Sequence, residues 1–485
     1  MNIKNIILVM SLFVLFSCSD EYFDTNTPSD SATEDQLRMS DLIGPSIVKT
    51  FKAQYYAERS VGNYSQQFTN RSGDGIGTTS VSGVWSSFYL GSFPDLKSLK
   101  NKATNKNATH FGAVADILTA INLGILTDCY GNIPYSEAGQ GTENLTPAFD
   151  SQQEIYATID SLLDAAIAAL SAADSSGYSI ENDLIYGGDS DKWLRAAYTL
   201  KARYQMHLLK RNGTASATAA LASLANGFSS NEDDFQLNYS GETKNPWHIR
   251  QVLAKATSND HDKIGDQLVN YMNGSIYAIA GVDPRLPVYA EKANAADPYR
   301  GYVSGGLGVS SDGNSANTDF ASTGFYTSAD SPMVVISYAE ALFLKAEAEF
   351  IVNGGDATST GSNTAAYSAY KDAIQANFNK LGVSGAAYML EPSIDVGEAG
   401  LKLEHIMKEK YIANFLNPEV FVDIRRYNFS SNVYKSFDLP VNHADGEYPG
   451  EWYVRAVYPD SETTRNSDNV IANRELPTAK LWWDQ

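Results

Sequence analysis

Oxygen-bearing side chains are concentrated in one segment, "SSDGNSANTD", and their types and spacing could bind a divalent cation. The segment contains Asp312, Asn314, Asn317 and Asp319. Carboxylate and amide oxygens are the ligands that Ca²⁺ prefers, although this spacing does not match the EF-hand loop. A polar surface turn is the alternative interpretation. We therefore expect no obligatory cofactor, with Ca²⁺ at Asp312, Asn314 and Asp319 as the one candidate.

The residues that could perform catalysis do not form a known catalytic motif. None of the 6 histidines belongs to an H-E-x-x-H motif, and the sequence has neither a G-x-S-x-G elbow nor a Walker loop. Cys129 has no evident base nearby, so a packing role is favoured over a nucleophile. With 57 acidic residues, some carboxylates will lie at glycosidase spacing by chance. We predict that the protein is not an enzyme, and a surface glycoside hydrolase is the catalytic alternative.

Cys18 could carry a covalent lipid. It follows an apolar run from Ile6 to Phe16, which is too short to span a bilayer but suits the core of a secretory signal. The ending Leu-Phe-Ser-Cys resembles a bacterial lipobox, and the following Ser-Asp-Glu resembles an export signal of surface lipoproteins. We predict a signal peptide at residues 1–17, an acylated tether at 18–40, and a protein anchored on the outer face of an outer membrane.

The net charge of the chain restricts the partners that it can bind. The chain has 36 basic and 57 acidic residues, a formal charge of −21. Such a field repels nucleic acid, because binding to nucleic acid depends on neutralising phosphates. After removal of the signal only one cysteine is left within the folded part, so no disulfide is possible there. We expect a soluble body that contacts the membrane through its lipid anchor alone.

We interpret residues 41–485 as a single domain. Any site in this domain has to be positioned by its helices. Apolar residues recur with a 3.6-residue period in segments such as "GAVADILTAINLGILT", "SQQEIYATIDSLLDAAIAAL" and "LKLEHIMKEKYIANFL". These segments follow one another at the spacing of helical hairpin repeats. The pattern predicts a mainly α fold, with a scaffold of tetratricopeptide-like helix pairs at about 41–235 and 335–430.

A loop-rich lobe is predicted at about 236–334 and 431–485, where glycine, asparagine and serine are dense and helical periodicity fades. Loops held by a rigid scaffold commonly carry binding residues. We expect a ligand to contact aromatic residues of this lobe and a polar pair in an early loop: Trp247, Tyr299, Tyr302, Phe325, Tyr326, Asn70 and Arg71. Packing or structural ion-pair roles are assigned instead to Trp85, Trp193, Trp482, Trp483, Asp423, Arg425 and Arg426.

Several phrases occur together in a recognisable order. They are "DCYGNIPYSEA" (128–138), "WLRAAYTLKARYQMHLL" (193–209), "GVDPRLPVY" (281–289), "ISYAEALFLKAEAEF" (336–350) and "EKYIANFLNPEVFVDIRRYNF" (409–429). Together with the lipobox, they make the chain resemble the SusD/RagB family of nutrient-binding outer-membrane lipoproteins. The opening "FDTNTPSDSATEDQL" lacks the D-x-x-P of starch-binding members, so the resemblance does not extend to starch as the ligand.

The resemblance implies a SusD-like fold with four tetratricopeptide-like helix pairs and no catalysis. It also implies a partner, a SusC-like TonB-dependent transporter on which the lipoprotein sits as a lid. The ligand of such a protein is usually a glycan and sometimes a peptide. Sugar rings suit aromatic surfaces, because their C–H faces stack on the rings while their hydroxyls need polar partners. A peptide-binding lid and a purely structural surface protein stay open as alternatives.

Overall fold

The computed structural model describes residues 36–70, 77–259 and 262–485. The predicted signal peptide, Cys18, most of the tether and Arg71 lie outside the described residues. The N-terminal half contains these helices: α1 Met39–Val61, α2 Ser82–Ser87, α3 Phe93–Asn105, α4 Thr109–Tyr130, α5 Gln152–Leu170, α6 Ser190–His207, α7 Leu209–Asn212 and α8 Thr214–Leu224. The later helices are α9 Ala254–Ala256, α10 Asp266–Met272, α11 Leu286–Tyr289, α12 Tyr338–Val352, α13 Thr364–Leu381, α14 Gly397–Gly400, α15 Leu403–Ala413, α16 Glu419–Arg426, α17 Asp460–Arg465 and α18 Ser467–Asn473.

Local sequence signals account for where these helices begin. Helix α5 starts with the predicted capping box, in which Ser151 accepts from the Glu154 amide and the Glu154 side chain accepts from the Ser151 amide.

Within the described ranges, α4 is the one helix long and apolar enough to cross a membrane, and 83% of its most apolar window is buried inside the protein. It is therefore the central core helix of the scaffold.

Successive helices pack against one another as in helical repeats. Helix α3 packs on α4, α4 on α5, α5 on α6, and α6 on α8. Helix α8 then contacts α12, which packs on α13 and α15. The mainly α prediction and the paired-helix scaffold are thus confirmed. The two halves of the scaffold meet although the predicted loop-rich lobe separates them in sequence.

Short strands fasten the loop-rich segment to the scaffold. They are β1 Phe68–Asn70, β2 Phe235–Leu237, β3 Asp262–Ile264, β4 Ala290–Lys292, β5 Thr318–Phe320 and β6 Met333–Ile336. All pair antiparallel, as β1 with β3, β2 with β6, and β4 with β5. Because β1 is the next element after α1, its pairing with β3 ties residues 262–264 of the loop-rich segment to the end of the first helix.

Buried packing and ion pairs occupy several positions that sequence analysis assigned to structure. Arg426 pairs with Glu347 and Asp423, and Lys410 pairs with Asp423 as well. Arg425 donates to the carbonyls of Asp128 and Val454. Those structural roles are confirmed, as are the packing roles of Trp85, Trp193 and Trp483, whereas Trp482 is half-buried. Burial raises the pKa of Cys129 to about 12, which confirms an inert, packed thiol.

His207 joins α6 to the C-terminal helices inside the core. Its Nε2 lies 2.6 Å from Oε1 of Glu419, and its Nδ1 lies 3.4 Å from Oδ2 of Asp128. Burial by itself would lower the pKa of His207, but the two carboxylates outweigh burial and raise this pKa to about 9. Folded His207 therefore binds a proton more tightly than it does in the unfolded chain.

We expect the free energy of unfolding to fall as pH rises from about 6.5 to about 9. The folded state holds the His207 proton over that interval and the unfolded state does not, so the stabilisation is complete below the unfolded pKa and lost above the folded one. A shift of this size corresponds to at most about 3 kcal/mol. Urea titrations of wild type and His207→Gln at several pH values measure it. The fall should disappear in His207→Gln and persist in His110→Gln; an unaltered fall in His207→Gln would refute the assignment.

Candidate functional site

An aromatic row runs along α2 and α3. Trp85, Tyr89 and Phe93 are each four residues apart and lie on one face, because side chains at that spacing stack along a helix. The ring centroids of Trp85 and Tyr89 are 4.7 Å apart, and those of Tyr89 and Phe93 are 6.3 Å apart. Between the two helices, Phe88–Ser92 forms a π-helical turn, in which the Phe93 amide donates to the Phe88 carbonyl. Such turns are frequent at functional sites.

This row forms one wall of an open cleft of about 470 Å³, which we call the aromatic cleft. A loop containing Pro134, Ala138 and Gly139 forms the opposite wall. Further lining residues come from the loop before α5, from α17 and from the residue that follows α17: Leu145, Pro147, Ser461, Glu462, Arg465 and Asn466. The volume lies within the range of small-molecule sites, which are mostly apolar with a few polar groups.

Exposed apolar side chains mark the rim of the aromatic cleft. Leu90 is 79% exposed and Leu145 is 73% exposed, so neither contributes to the core. The hydroxyl of Tyr89 donates to the Pro134 carbonyl at 2.7 Å, which fixes its ring across the two walls. Gly139 has φ of +71°, and a Cβ added there would lie 2.7 Å from Cε1 of Phe93, so the loop approaches the aromatic row as closely as glycine allows.

Polar groups of the cleft are few and of mixed charge. Asn466 donates to Oε1 of Glu462 at 2.9 Å, and burial raises the pKa of Glu462. Arg465 and Lys97 are exposed at the sides. Among the described lining residues, Glu462 is the only carboxylate. Glycoside hydrolysis ordinarily needs two carboxyl groups on either side of the bond. The cleft therefore offers stacking surfaces and hydrogen bonds without that pair.

Two predicted ligand-contacting residues prove to be core residues. Trp247 is 2% exposed, and its ring packs at 5.1 Å from Tyr55 and 5.7 Å from Phe68. Tyr326 is 7% exposed and packs edge-on to Phe415. In this structure β1 and the loop-rich segment close over both rings, and their contact with a ligand stays a prediction. Their large apolar area is used to fasten the lobe to the scaffold.

The other predicted ligand contacts are not assembled into the aromatic cleft. Tyr299, Tyr302 and Phe325 are half-buried. Lys292 lies over the Tyr299 ring at 5.0 Å and Lys380 over the Phe325 ring at 5.7 Å. Asn70, at the end of β1, is half-buried and its amide donates to Asn63, while Arg71 lies outside the described residues. These residues stay predictions as ligand contacts.

Two of the Ca²⁺ candidates, Asp312 and Asp319, form ion pairs with basic side chains of the protein. Asp312 pairs with Arg300 at 2.8 Å, and Asp319 pairs with Lys255 and Lys263. Asn314 contributes its backbone amide, which donates to Asp312. In the part of the chain that the structure describes, no group of three or more His, Cys, Asp or Glu side chains is placed to hold a metal ion. Both aspartates are thus paired with basic side chains, and Ca²⁺ at this loop stays a prediction.

A helical scaffold that carries an open cleft with aromatic walls has the architecture of a ligand-binding protein. Residues 31–449 match the SusD-like family, described as starch-binding and associating with the outer membrane, and the chain belongs to this family. No curated protein matches the chain.

Solved structures share the fold over nearly the whole chain. One is a chitin-binding protein with 25% identity and a TM-score of 0.72, covering 92% of this chain and 100% of its own. Another is a chitin-binding SusD homologue from Flavobacterium johnsoniae, with 22% identity, a TM-score of 0.71 and coverage of 91% and 98%. A SusD/RagB family protein from Bacteroides thetaiotaomicron has 23% identity, a TM-score of 0.70 and coverage of 92% and 99%.

Proposed function

We propose that the protein is a cell-surface lipoprotein that binds an oligosaccharide in the aromatic cleft and delivers it, without catalysis, to a SusC-like TonB-dependent transporter. Family membership supports the outer-membrane setting, and the chitin-binding relatives support a glycan ligand. The observation that carries the proposal is the cleft itself, which combines an aromatic row with a single carboxylate. A peptide is the second candidate ligand, because members of the resembled family include peptide importers.

The cleft fits the chemistry of a sugar. A pyranose ring has apolar C–H faces, which can stack on Tyr89 and contact the exposed Leu90. Its hydroxyls need donors and acceptors, and Arg465, Glu462 and Lys97 supply both kinds around the rim. Neutral sugars also carry no charge, so the formal charge of −21 does not repel them.

We expect Tyr89→Ala to weaken glycan binding roughly fivefold to tenfold, because stacking on one aromatic ring contributes on the order of 1 kcal/mol. Arg465→Ala, at an exposed position, should weaken binding to a smaller extent. Calorimetry with starch-derived and chitin-derived oligosaccharides provides the affinities. Tyr178→Ala, which removes an exposed tyrosine outside the cleft, is the matched control and should bind like wild type.

Melting temperatures and product analysis complete the test. Unchanged affinity in both cleft variants, with unchanged melting temperatures, would place the site elsewhere, first at the loop that follows Asn70. Binding to a peptide library but to no glycan would favour the peptide importer. New reducing ends in a mixed-glycan incubation would show hydrolysis and refute the non-catalytic proposal.

A further inference from the structure

One buried arginine has no partner in the structure. Arg455 is 8% exposed, and its Nε atom is buried without a hydrogen-bond acceptor. In the part of the chain that the structure describes, its guanidinium forms neither an ion pair nor a hydrogen bond. The other buried arginines there have carboxylate or backbone carbonyl partners: Arg203, Arg285, Arg425 and Arg426. Arg455 is therefore the exception, and a buried charge left without a partner is costly.

The guanidinium of Arg455 lies over Gly131, the residue that follows α4. A Cβ added at Gly131 would lie 2.9 Å from Nη2 of Arg455 and 3.3 Å from Cδ2 of Leu481. Gly131 also has a φ of +88°, so both its conformation and this close contact favour glycine. The Arg455 side chain therefore occupies a defined place between the end of α4 and the C-terminal segment of the chain.

The backbone that carries Arg455 is fixed before any ligand binds. The amides of Val454 and Arg455 donate to the Pro477 carbonyl at 2.8 and 3.2 Å. The amide of Ala456 donates to the Cys129 carbonyl at 2.8 Å. Because these bonds hold the segment on both sides of the side chain, little ordering of the backbone is left for a ligand to impose.

Glu475 acts on Arg455 through its charge but does not pair with it. Burial lowers the pKa of Arg455, and the negative charge of Glu475 opposes this effect without forming an ion pair. The Glu475 side chain is exposed to solvent. Arginine keeps its proton in proteins and carries five N–H donors. The end of α4 therefore holds a positive charge and a set of donors that no group of the described chain satisfies.

We propose that Arg455 binds a small oxyanion from solution at the end of α4. Carboxylate and phosphate groups match the planar guanidinium, because two of their oxygens accept from two parallel N–H donors. The small exposed fraction of Arg455 favours a free anion over a side chain presented by a folded partner. Arg455 does not line the aromatic cleft, so this site is separate from the proposed glycan site.

Calorimetry with inorganic phosphate tests this inference. Phosphate is titrated into wild type, Arg455→Met and Arg474→Met in Tris chloride at constant ionic strength, and acetate is titrated in a second series. We expect Arg455→Met to bind at least about tenfold more weakly than wild type, because it removes every donor of the site. Arg474→Met removes an exposed arginine beside Glu475 in the sequence and should bind like wild type. Binding of either anion that depends on Arg455 supports the proposal.

Melting temperatures distinguish an anion site from a structural cation. In buffer without an oxyanion, Arg455→Met should melt no lower than wild type, because it removes a buried charge that has no partner. Phosphate should raise the melting temperature of wild type more than that of Arg455→Met, and this comparison removes the general stabilising effect of the salt. An equal loss in Arg455→Met with and without phosphate would mean that the arginine only stabilises the C-terminus of α4, and would overturn the proposal.

Two further variants keep the test decisive if the methionine variant does not fold. Arg455→Lys keeps the charge but loses the paired donors, so it should bind phosphate more weakly than wild type. Glu475→Gln removes a competing negative charge and should tighten phosphate binding. Destabilisation by Glu475→Gln, together with a wild type that binds neither anion, would show an internal ion pair and overturn the proposal. None of these results depends on whether the aromatic cleft binds a glycan.

Discussion

Cys18→Ala is expected to release the protein from the membrane completely in cells that lack the proposed SusC-like transporter. The apolar run that precedes Cys18 is too short to span a bilayer, so without acyl chains it leaves no membrane anchor. Each buried methylene of an acyl chain contributes about 0.8 kcal/mol, and two or more chains are needed for stable anchoring. Fractionation followed by immunoblotting should find wild type with the outer membrane and the variant in the soluble fraction.

This experiment has to distinguish membrane association through the proposed transporter from membrane association through the lipid. In cells that contain the SusC-like transporter, part of the variant should stay bound through protein contacts, and washing at high salt should release some of it. The decisive measurement therefore uses cells without the transporter. Cys129→Ala is the matched control and should stay with the membrane, because Cys129 is buried in the core. Full membrane association of Cys18→Ala in those cells would refute the lipoprotein prediction.

The helical scaffold could be predicted because its signals are local. The capping box of Ser151 and Glu154 and the apolar stripe of α5 lie within one segment, and the structure reproduces both. The pairing of β1 with β3 could not be predicted in the same way. It joins Phe68 to Ile264, and neither three-residue strand carries a periodic pattern long enough to specify a partner.

The predicted ligand contacts and the aromatic cleft lie in different parts of the fold for a physical reason. An aromatic residue in a glycine-rich stretch suits a ligand and a local core equally well, and Trp247 serves the core. The row of Trp85, Tyr89 and Phe93 was visible as a four-residue spacing within "WSSFYLGSF". What could not be seen was that one face of this helix stays open, because its opposite wall comes from loops and from α17, which are distant in sequence.

The phrases by which the family is recognised are explained by buried charge. Asp283 and Arg285 of "GVDPRLPVY" meet Glu409 of "EKYIANFL", and all three are fully buried. Asp128 of "DCYGNIPYSEA" accepts a hydrogen bond from Trp483 near the C-terminus. Such groups tolerate few replacements, because a buried charge left without its partner is costly. The recognisable charged residues therefore hold the fold together. The aromatic row of the cleft lies outside these phrases, although Pro134 and Ala138 of "DCYGNIPYSEA" contribute to its opposite wall.

The largest loss of stability is expected from Arg285→Met. Nη2 of Arg285 lies 2.6 Å from Asp283 and 2.6 Å from Glu409, and Nη1 donates to Asn377 at 3.1 Å. Burial opposes ionisation of Glu409, but Lys408 and Arg285 outweigh burial and lower its pKa to about 2. Methionine removes the cation, so that Asp283 loses its ion-pair partner and Glu409 keeps only Lys408. Breaking a buried pair in this way costs about 3–5 kcal/mol, and denaturant titration should show that loss in the free energy of unfolding.

Two comparisons distinguish the buried network from ion pairing in general. Arg38→Met removes an arginine whose side chain is 72% exposed and pairs with Asp41, and its effect on stability should be far smaller than that of Arg285→Met. Adding Glu409→Leu to Arg285→Met should cost less than the sum of the two single losses, because the second change removes a carboxylate that has already lost its arginine. A loss below about 1 kcal/mol for Arg285→Met, or strictly additive losses, would show that the network does not carry the stability assigned to it.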